Sequence, residues 1–528
     1  MSCLHPVLVR RWLRRLAFLL AFVAAQAHAN GSLSWFNEAG SPTDQASVAI
    51  TALESAADHG LDPADYAAAA LRQALAAAQQ DPPLDADRQA QLDAALTSAL
   101  QRYLVDLRRG RVDPREIHAR FDVPNPDSFD PAALLAAALA TDTLAQALRD
   151  AEPRVPLYAA LRQALAQYRA LAGHSAWLTP LTLPARALSP GEGYAGLPVL
   201  AQRLEALGDL PAGTFVPARY EGALVDALRA FQERHGLEVD GVLGPATLKA
   251  LNVPPSERVR QIELSLERLR WTPLLHGPRM VVVNVPEFTL RAYEVEGTQL
   301  TVRLAMKVIV GKALDTRTPL FDEDMRFIEF SPYWNVPPSI ARGEIIPRLR
   351  RDPAYFGRQG FEFVTDSGRV VTTLSAENLD AVLHRGWRIR QRPGPRNVLG
   401  DIKFIFPNNQ NIYLHHTPEA QLFARVRRDF SHGCIRVEAP IELAKFVLQD
   451  RPDWTEDRIR EAMDAGKSRT IALEQPLPVL IAYSTVVVKA GRVFFHPDLY
   501  GHDPVLDRAL QARSAALAPL LTAGLARP

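Results

Sequence analysis

The stretch Asn411-Ile412-Tyr413-Leu414-His415-His416-Thr417-Pro418, followed after a short spacer by Phe430-Ser431-His432-Gly433-Cys434-Ile435-Arg436-Val437, decides how the chain is read. The sequence has 2 cysteines, and the other, Cys3, falls in a segment expected to be removed. The processed chain then carries one thiol and no internal disulfide. A single thiol in an exported chain is either a small buried apolar residue or a retained reactive group. Ser431 and His432 are polar where a core strand wants apolar side chains, and Gly433 lets the backbone approach another molecule closely. His415 closes a strand-like run. A cysteine nucleophile needs a nearby base and N–H donors for the developing oxyanion, and this stretch supplies each type. It also offers zinc-ligand types in His415, His416, His432 and Cys434, without H-E-x-x-H or paired C-x-x-C spacing.

His415, the spacer, and Ser431-His432-Gly433-Cys434-Ile435-Arg436 resemble the signature of the L,D-transpeptidase (YkuD) catalytic domain. The resemblance implies Cys434 as nucleophile and His415 as general base, its ring oriented by the backbone carbonyl of His416. It also implies the N–H groups of Gly433 and Cys434 as oxyanion donors. Ser431, His432 and Arg436 become candidate substrate contacts. The implied reaction is attack on the third stem residue of a peptidoglycan tetrapeptide, loss of the terminal D-Ala, and formation of a 3→3 cross-link. No cofactor and no metal are implied; the partners are stem peptides and the sacculus. The acceptor stays open among a stem amine, water (L,D-carboxypeptidase), a D-amino acid and a lipoprotein lysine. Other classes stay open too: a zinc peptidase with a wall-binding module, a cysteine peptidase of another fold, and a non-catalytic wall scaffold.

The N-terminus reads as a secretory signal over residues 1–29. Arg10, Arg11, Arg14 and Arg15 precede an apolar run, Leu16 to Ala25, and Ala27-His28-Ala29 forms an A-x-A site. That run is short for a bilayer span, so a periplasmic protein with no membrane span after cleavage is expected, an uncleaved anchor being the alternative. The formal net charge is +1, and no basic run with interleaved aromatics occurs, which argues against nucleic acid as a partner.

With 528 residues, several domains are expected. Residues 30–190 read as a helical N-terminal scaffold domain. Asp62-Pro63, Asp113-Pro114 and Asp130-Pro131 pair an N-cap with a first-turn proline, the first opening one helix that continues to Ala78. Leu92, Leu96, Leu100, Leu104 and Leu107 line one helix face. The phrase Tyr103 to Pro114 is similar to the N-terminal region of the large Gram-negative L,D-transpeptidases. Thr179 to Pro190 reads as a proline-rich linker. Residues 191–252 resemble the peptidoglycan-binding domain 1 module, a three-helix bundle, on Leu228 to Leu237, Asp240-Gly241, Gly244 and Thr247 to Asn252. A connecting helix is expected over 253–278.

From Arg279 the pattern turns to period two. Met280 to Val285, Leu290 to Tyr293, Leu300 to Val310 and Phe327 to Phe330 read as strands of a catalytic domain over 279–510. Residues of about 333–400 read as a lid insertion, with a basic helix at Ile345 to Arg351 and with Tyr333 and Trp334 as candidate substrate contacts. Helices are expected over Ile441 to Leu448 and Asp453 to Ala465. Strands follow over Val479 to Val488 and Val493 to Phe495, and 511–528 reads as a frayed helical tail. The expected class is multidomain α+β: helical N-terminal domain, three-helix bundle, and mostly-β catalytic domain with a lid.

Overall fold

Five leucines at helical spacing, Leu92 to Leu107, do lie on one buried face of a single helix, Ala86–Arg109. The molecule was studied as a computed structural model, which describes residues 34–80, 84–118, 121, 129–184, 186–271, 277–297, 299–313 and 316–525. The signal segment expected over 1–29 lies outside the described residues. By its contacts the chain divides into two units.

The described residues of the first unit are 34–80, 84–108, 129–152 and 513–525. Short helices, Asp44–Glu54, Ala68–Ala78, Pro131–Ala140 and Leu144–Ala151, join the long one. Asp62 and Asp130 cap helix starts with their carboxylates, as the Asp-Pro pairs predict. The expected single helix from Pro63 to Ala78 is broken, however. A 3₁₀ turn, Pro63–Tyr66, ends at Ala67 with φ +53° before the helix resumes. The break lets Tyr66 turn inward and donate its hydroxyl to buried Asp106 at 2.9 Å. Arg513 pairs with the same carboxylate at 2.7 Å.

The second unit comprises 109–118, 121, 153–184, 186–271, 277–297, 299–313 and 316–512 among the described residues. Its three-helix module uses Leu197–Ala206, Ala223–Arg234 and Pro245–Asn252, packed on Leu200, Leu204, Leu228 and Phe231. The preceding proline-rich stretch is not a free linker: Leu181 and Leu188 are buried in the module's core. Arg203, 1% exposed, donates to the carbonyls of Ala176, Thr179 and Leu251. A buried guanidinium is tolerated only when its donors are paired in this way. The connecting helix is Pro255–Leu269.

The catalytic region is built on strands β1 (Arg279–Asn284), β2 (Thr289–Glu296), β3 (Gln299–Gly311) and β4 (Phe321–Phe330). Next come β5 (Trp334–Asn335), β6 (Phe361–Val364), β7 (Val370–Val371) and β8 (Arg388–Gln391). The later strands are β9 (Ile402–Ile405), β10 (Leu414–His415), β11 (Asp429–Ser431), β12 (Ile435–Val437), β13 (Arg469–Ala482), β14 (Val486–Lys489) and β15 (Arg492–Phe495). Nine of them form one sheet in the order β11-β3-β12-β10-β9-β4-β13-β1-β2, and β2 also pairs with β3. That extra pairing joins β2 at one end to β3, the second strand from the other end, so the sheet curls around a core of Val281, Val283, Ile328, Phe404, Leu414, Ile435 and Val437.

Residues of the insertion expected at about 333–400 carry regular structure of their own, and one expected strand is corrected. They form a second sheet, β5-β8-β6-β7, with its own core of Trp334, Phe356, Phe361, Phe363, Leu379 and Ile389. The run Val479 to Val488 is not one strand: β13 begins at Arg469 and the chain leaves the sheet after Ala482. There Ser484 N–H donates to Asn284 Oδ1 and Asn284 Nδ2 to the Ser484 carbonyl, closing the strand ends. Pro476 falls where the register shifts between Ala472 and Leu477, a bulge of the kind where a missing N–H is tolerated, and Pro478 precedes the pairing with β1, which begins at Val479.

Candidate active site

Leu414 lies opposite Ile435 on β12 and opposite Phe404 on β9, and all three point into the core. Side chains alternate across a strand, so their neighbours face the other way. Tyr413, His415, Cys434, Arg436 and Lys403 therefore share the opposite face of the sheet. His415 is opposite Arg436 on one side and Lys403 on the other. Glu329 on β4 extends the row, opposite Lys403. Tyr413 packs against the core of the insertion, so the insertion adjoins this face.

The sulfur of Cys434 sits 3.5 Å from the Asn411 carbonyl. Tyr413 lies beside the sulfur, where its main chain and hydroxyl favour the anionic form. Burial pushes the Cys434 thiol up, while Tyr413, Lys403 and Arg436 pull it back. His415 is 4% exposed, with Nδ1 2.5 Å from the His416 carbonyl oxygen. Burial, with Arg436 and Lys403 beside it, depresses its basicity to about 3. At neutral pH the pair therefore rests as thiol and neutral imidazole.

The turn before Cys434 is held from below. Gly433 has φ +115°, and a Cβ there would meet Ile412 Cδ1 at 3.2 Å, so glycine is required. Its carbonyl accepts from Thr318 Oγ1 at 2.8 Å. Thr318 N–H donates to the Tyr500 hydroxyl, which itself donates to the Gly311 carbonyl. Ser431, named above as a substrate contact, is turned into this turn instead. It is 3% exposed, donates to the Cys434 carbonyl at 2.5 Å and accepts from Gly433 N–H at 3.1 Å. The Gly433 N–H, an expected oxyanion donor, is thus engaged by Ser431.

The other expected residues are placed as follows. His432 is exposed, and its Nε2 lies 2.6 Å from Glu344 Oε1 of the insertion. His416 Nδ1 is 2.6 Å from Asp401 Oδ1. Arg436 pairs with Glu419. Trp334 is buried against Phe361 in the insertion core, and Tyr333 lies under the Arg390 guanidinium; neither belongs to the row around Cys434. The three imidazoles face different partners, and among the described residues no group of three His, Cys, Asp or Glu is arranged to hold a metal ion. Tyr413, Lys403 and Glu329 were missed from the sequence. Tyr413 was within reach, because two residues before His415 on a strand means the same face.

Among the described residues no helix is long and apolar enough to cross a membrane. Residues 278–471 match the L,D-transpeptidase catalytic domain model, 196–251 a "Putative peptidoglycan binding domain" and 23–165 a scaffold domain. The chain is 30% identical over 256 residues to a "Putative L,D-transpeptidase" of Haemophilus influenzae, covering 48% of this chain and 50% of that protein. It thus spans about half the length of that curated relative. A shorter match, 22% identical over 100 residues, is to epoxide hydrolase 1 of Sus scrofa, covering 19% of this chain and 22% of that protein. A solved fused Zn-dependent amidase/peptidase/peptidoglycan-binding protein of Clostridium acetobutylicum aligns over 56% of this chain and 98% of its own at 10% identity. Its TM-score is 0.17, and a likeness at that score carries no argument. The signature around Cys434 and the match over 278–471 agree: the chain carries an L,D-transpeptidase catalytic domain of the YkuD family, together with a peptidoglycan-binding domain 1 module.

Proposed function

We propose that the chain is a peptidoglycan L,D-transpeptidase, with Cys434 as nucleophile and His415 as the base that takes its proton. The observation that carries this reading is the single sheet face on which Tyr413, His415, Cys434 and Arg436 stand together. Cys434 loses its proton to His415, and the sulfur attacks the carbonyl of the third stem residue. The C–N bond to the terminal D-Ala breaks, and the proton leaves on its amine. An amine of a neighbouring stem then attacks the thioester and displaces the sulfur, which regains a proton; the product is a 3→3 cross-link. Oxyanion stabilisation falls to N–H groups of the 433–434 turn, which requires the Ser431 hydroxyl to release Gly433 N–H. Each such donor contributes on the order of 3 kcal/mol in acyl-transfer sites.

Periplasmic location follows from the expected signal at 1–29 and from a wall substrate, and belongs to the same proposal. The test is mass analysis of muropeptides after incubating the processed protein with tetrapeptide-rich sacculi. Cross-linked tripeptide-containing dimers are expected from the native protein and none from Cys434→Ala. Activity that survives complete thiol alkylation, or dimers formed equally by Cys434→Ala, would remove Cys434 from the mechanism.

A further inference from the structure

On β9, the strand beside His415, Lys403 occupies a place on the site face that the mechanism above does not use. Its ammonium nitrogen lies 4.0 Å from the Tyr413 ring centroid and 3.9 Å from Glu329 Oε2. The Tyr413 side chain in turn lies beside the Cys434 sulfur and favours its anionic form. An ammonium over a ring face is attracted by the ring quadrupole, so Lys403 fixes the ring beside the sulfur.

We propose that Lys403 is a positioning and charge-setting residue: held by Glu329, its ammonium favours the anionic sulfur of Cys434 and keeps the Tyr413 side chain beside it. The physical reason lies in the charges that face the sulfur. From β10 comes His415, with Tyr413 just before that strand, from β9 Lys403, and from β12 Arg436, which Glu419 pairs. Glu329 faces Lys403 from β4. On the flanking loops, Glu344 engages His432 and Asp401 engages His416. Two fixed cations thus stand on the strands either side of His415. They oppose a positive imidazole there and favour a negative sulfur. Burial works against a charged Lys403, and Glu329 and Cys434 work for it, so the lysine and the thiolate support each other. On this arrangement His415 is a transient proton carrier, and the fixed cations balance the thiolate.

This inference rests on Cys434 being the reactive thiol, but its test does not need peptidoglycan. The rate of iodoacetamide alkylation at Cys434 is followed against pH by peptide mass analysis, in the full chain. For Lys403→Met, removal of one nearby charge should slow alkylation about tenfold at neutral pH and move the midpoint up by about one pH unit. Lys403→Arg, which keeps the charge, should stay within about twofold of the native rate. Glu329→Gln removes the opposing carboxylate and should move the midpoint down, the opposite sign. A merely structural lysine would alter the melting temperature and leave the midpoint where it is. An unmoved or lowered midpoint in folded Lys403→Met overturns the proposal; should that variant not fold, a raised or unmoved midpoint in Glu329→Gln does so. A native protein that alkylates normally and makes no cross-link sinks the transpeptidase reading and leaves this one standing.

Discussion

Several buried histidines are held neutral, and that has a stability consequence. Burial, with Arg268 nearby, lowers His118 to about 4; burial, with His118 and Arg268, lowers His502 to about 3. His496 is lowered to about 4 and His415 to about 3, in each case first by burial. Below about pH 6.5 the unfolded chain takes up protons that the folded chain refuses. Stability is therefore full above that pH and falls as pH drops toward 4. Each such histidine adds a slope of up to about 1.4 kcal/mol per pH unit. Urea midpoints at pH 7 and pH 5 should show the fall, and His118→Gln should flatten it; an unchanged slope would mean that His118 titrates normally. Gly433 gives a second prediction at this scale. A side chain at φ +115° against Ile412 should cost Gly433→Ala about 1–3 kcal/mol of strain. It should also abolish turnover, because the 433–434 backbone is what presents the sulfur. Retention of native turnover by a folded Gly433→Ala would show that the turn geometry is not needed.

Elements differed in how plainly the sequence announced them. The leucine row of the Ala86–Arg109 helix, the helices of the module and the first four strands were legible, the helices by one buried face over several turns and the strands by their runs of β-branched residues. The insertion was legible as an insertion but its strands were not, because they are two to four residues long and too short to show a period. Phe361 and Phe363 alternate, but their partners Gln391 and Ile389 arrive only after β7 and a helix. The site was legible as a set of residue types; its face was not, since that depends on β9, β10 and β12 pairing across distant stretches. The phrase around Gly110 shows another limit. Gly110 has φ +82°, and a Cβ there would strike Glu267 Oε1 at 2.8 Å. Glu267, fully buried, accepts from Val112 N–H at 3.1 Å and pairs with Arg270 and Arg111. Nothing local in Gly-Arg-Val-Asp-Pro points to a carboxylate that far along the chain. Because the insertion has a core of its own, it should be removable as a unit. A chain with 333–397 replaced by a short linker should keep the large sheet, measured by far-UV circular dichroism and Cys434 acylation by a small β-lactam. If the insertion excludes water from the thioester, the ratio of tripeptide to cross-linked dimer should rise several-fold. Loss of acylation itself would make the insertion part of donor binding.

Across the whole second unit, the sequence suggested a separable module after a proline-rich linker, and the structure shows that module clamped against β15. Arg234, at the end of a module helix, donates to the Val493 carbonyl on β15 at 2.7 Å and through Nε to Asp209 at 2.8 Å. Asp209, also of the module, receives Arg492 of β15 at 2.7 Å. Phe231 stacks on His235, and His235 stacks on Phe495. The Arg234 and Asp209 side chains are almost wholly buried, so removing one partner strands a charge and costs about 3–5 kcal/mol. A clamped module sets the direction from which a glycan strand can reach Cys434; a loosely tethered one would only raise local concentration. The two roles separate experimentally. Asp209→Asn should loosen the module and leave the large sheet and Cys434 intact. Cross-linking of intact sacculi should then fall by an order of magnitude or more, while reaction with small soluble tetrapeptides stays within about twofold, since a lost contact of this size far exceeds the 1.4 kcal/mol that a tenfold change requires. Limited proteolysis between module and catalytic region, followed by mass analysis, reports whether the clamp has opened. An opened clamp with sacculus activity unchanged would reduce the module to a tether. Equal losses on sacculi and soluble peptides would instead mean that β14 and β15, released from Arg234, no longer support the catalytic sheet.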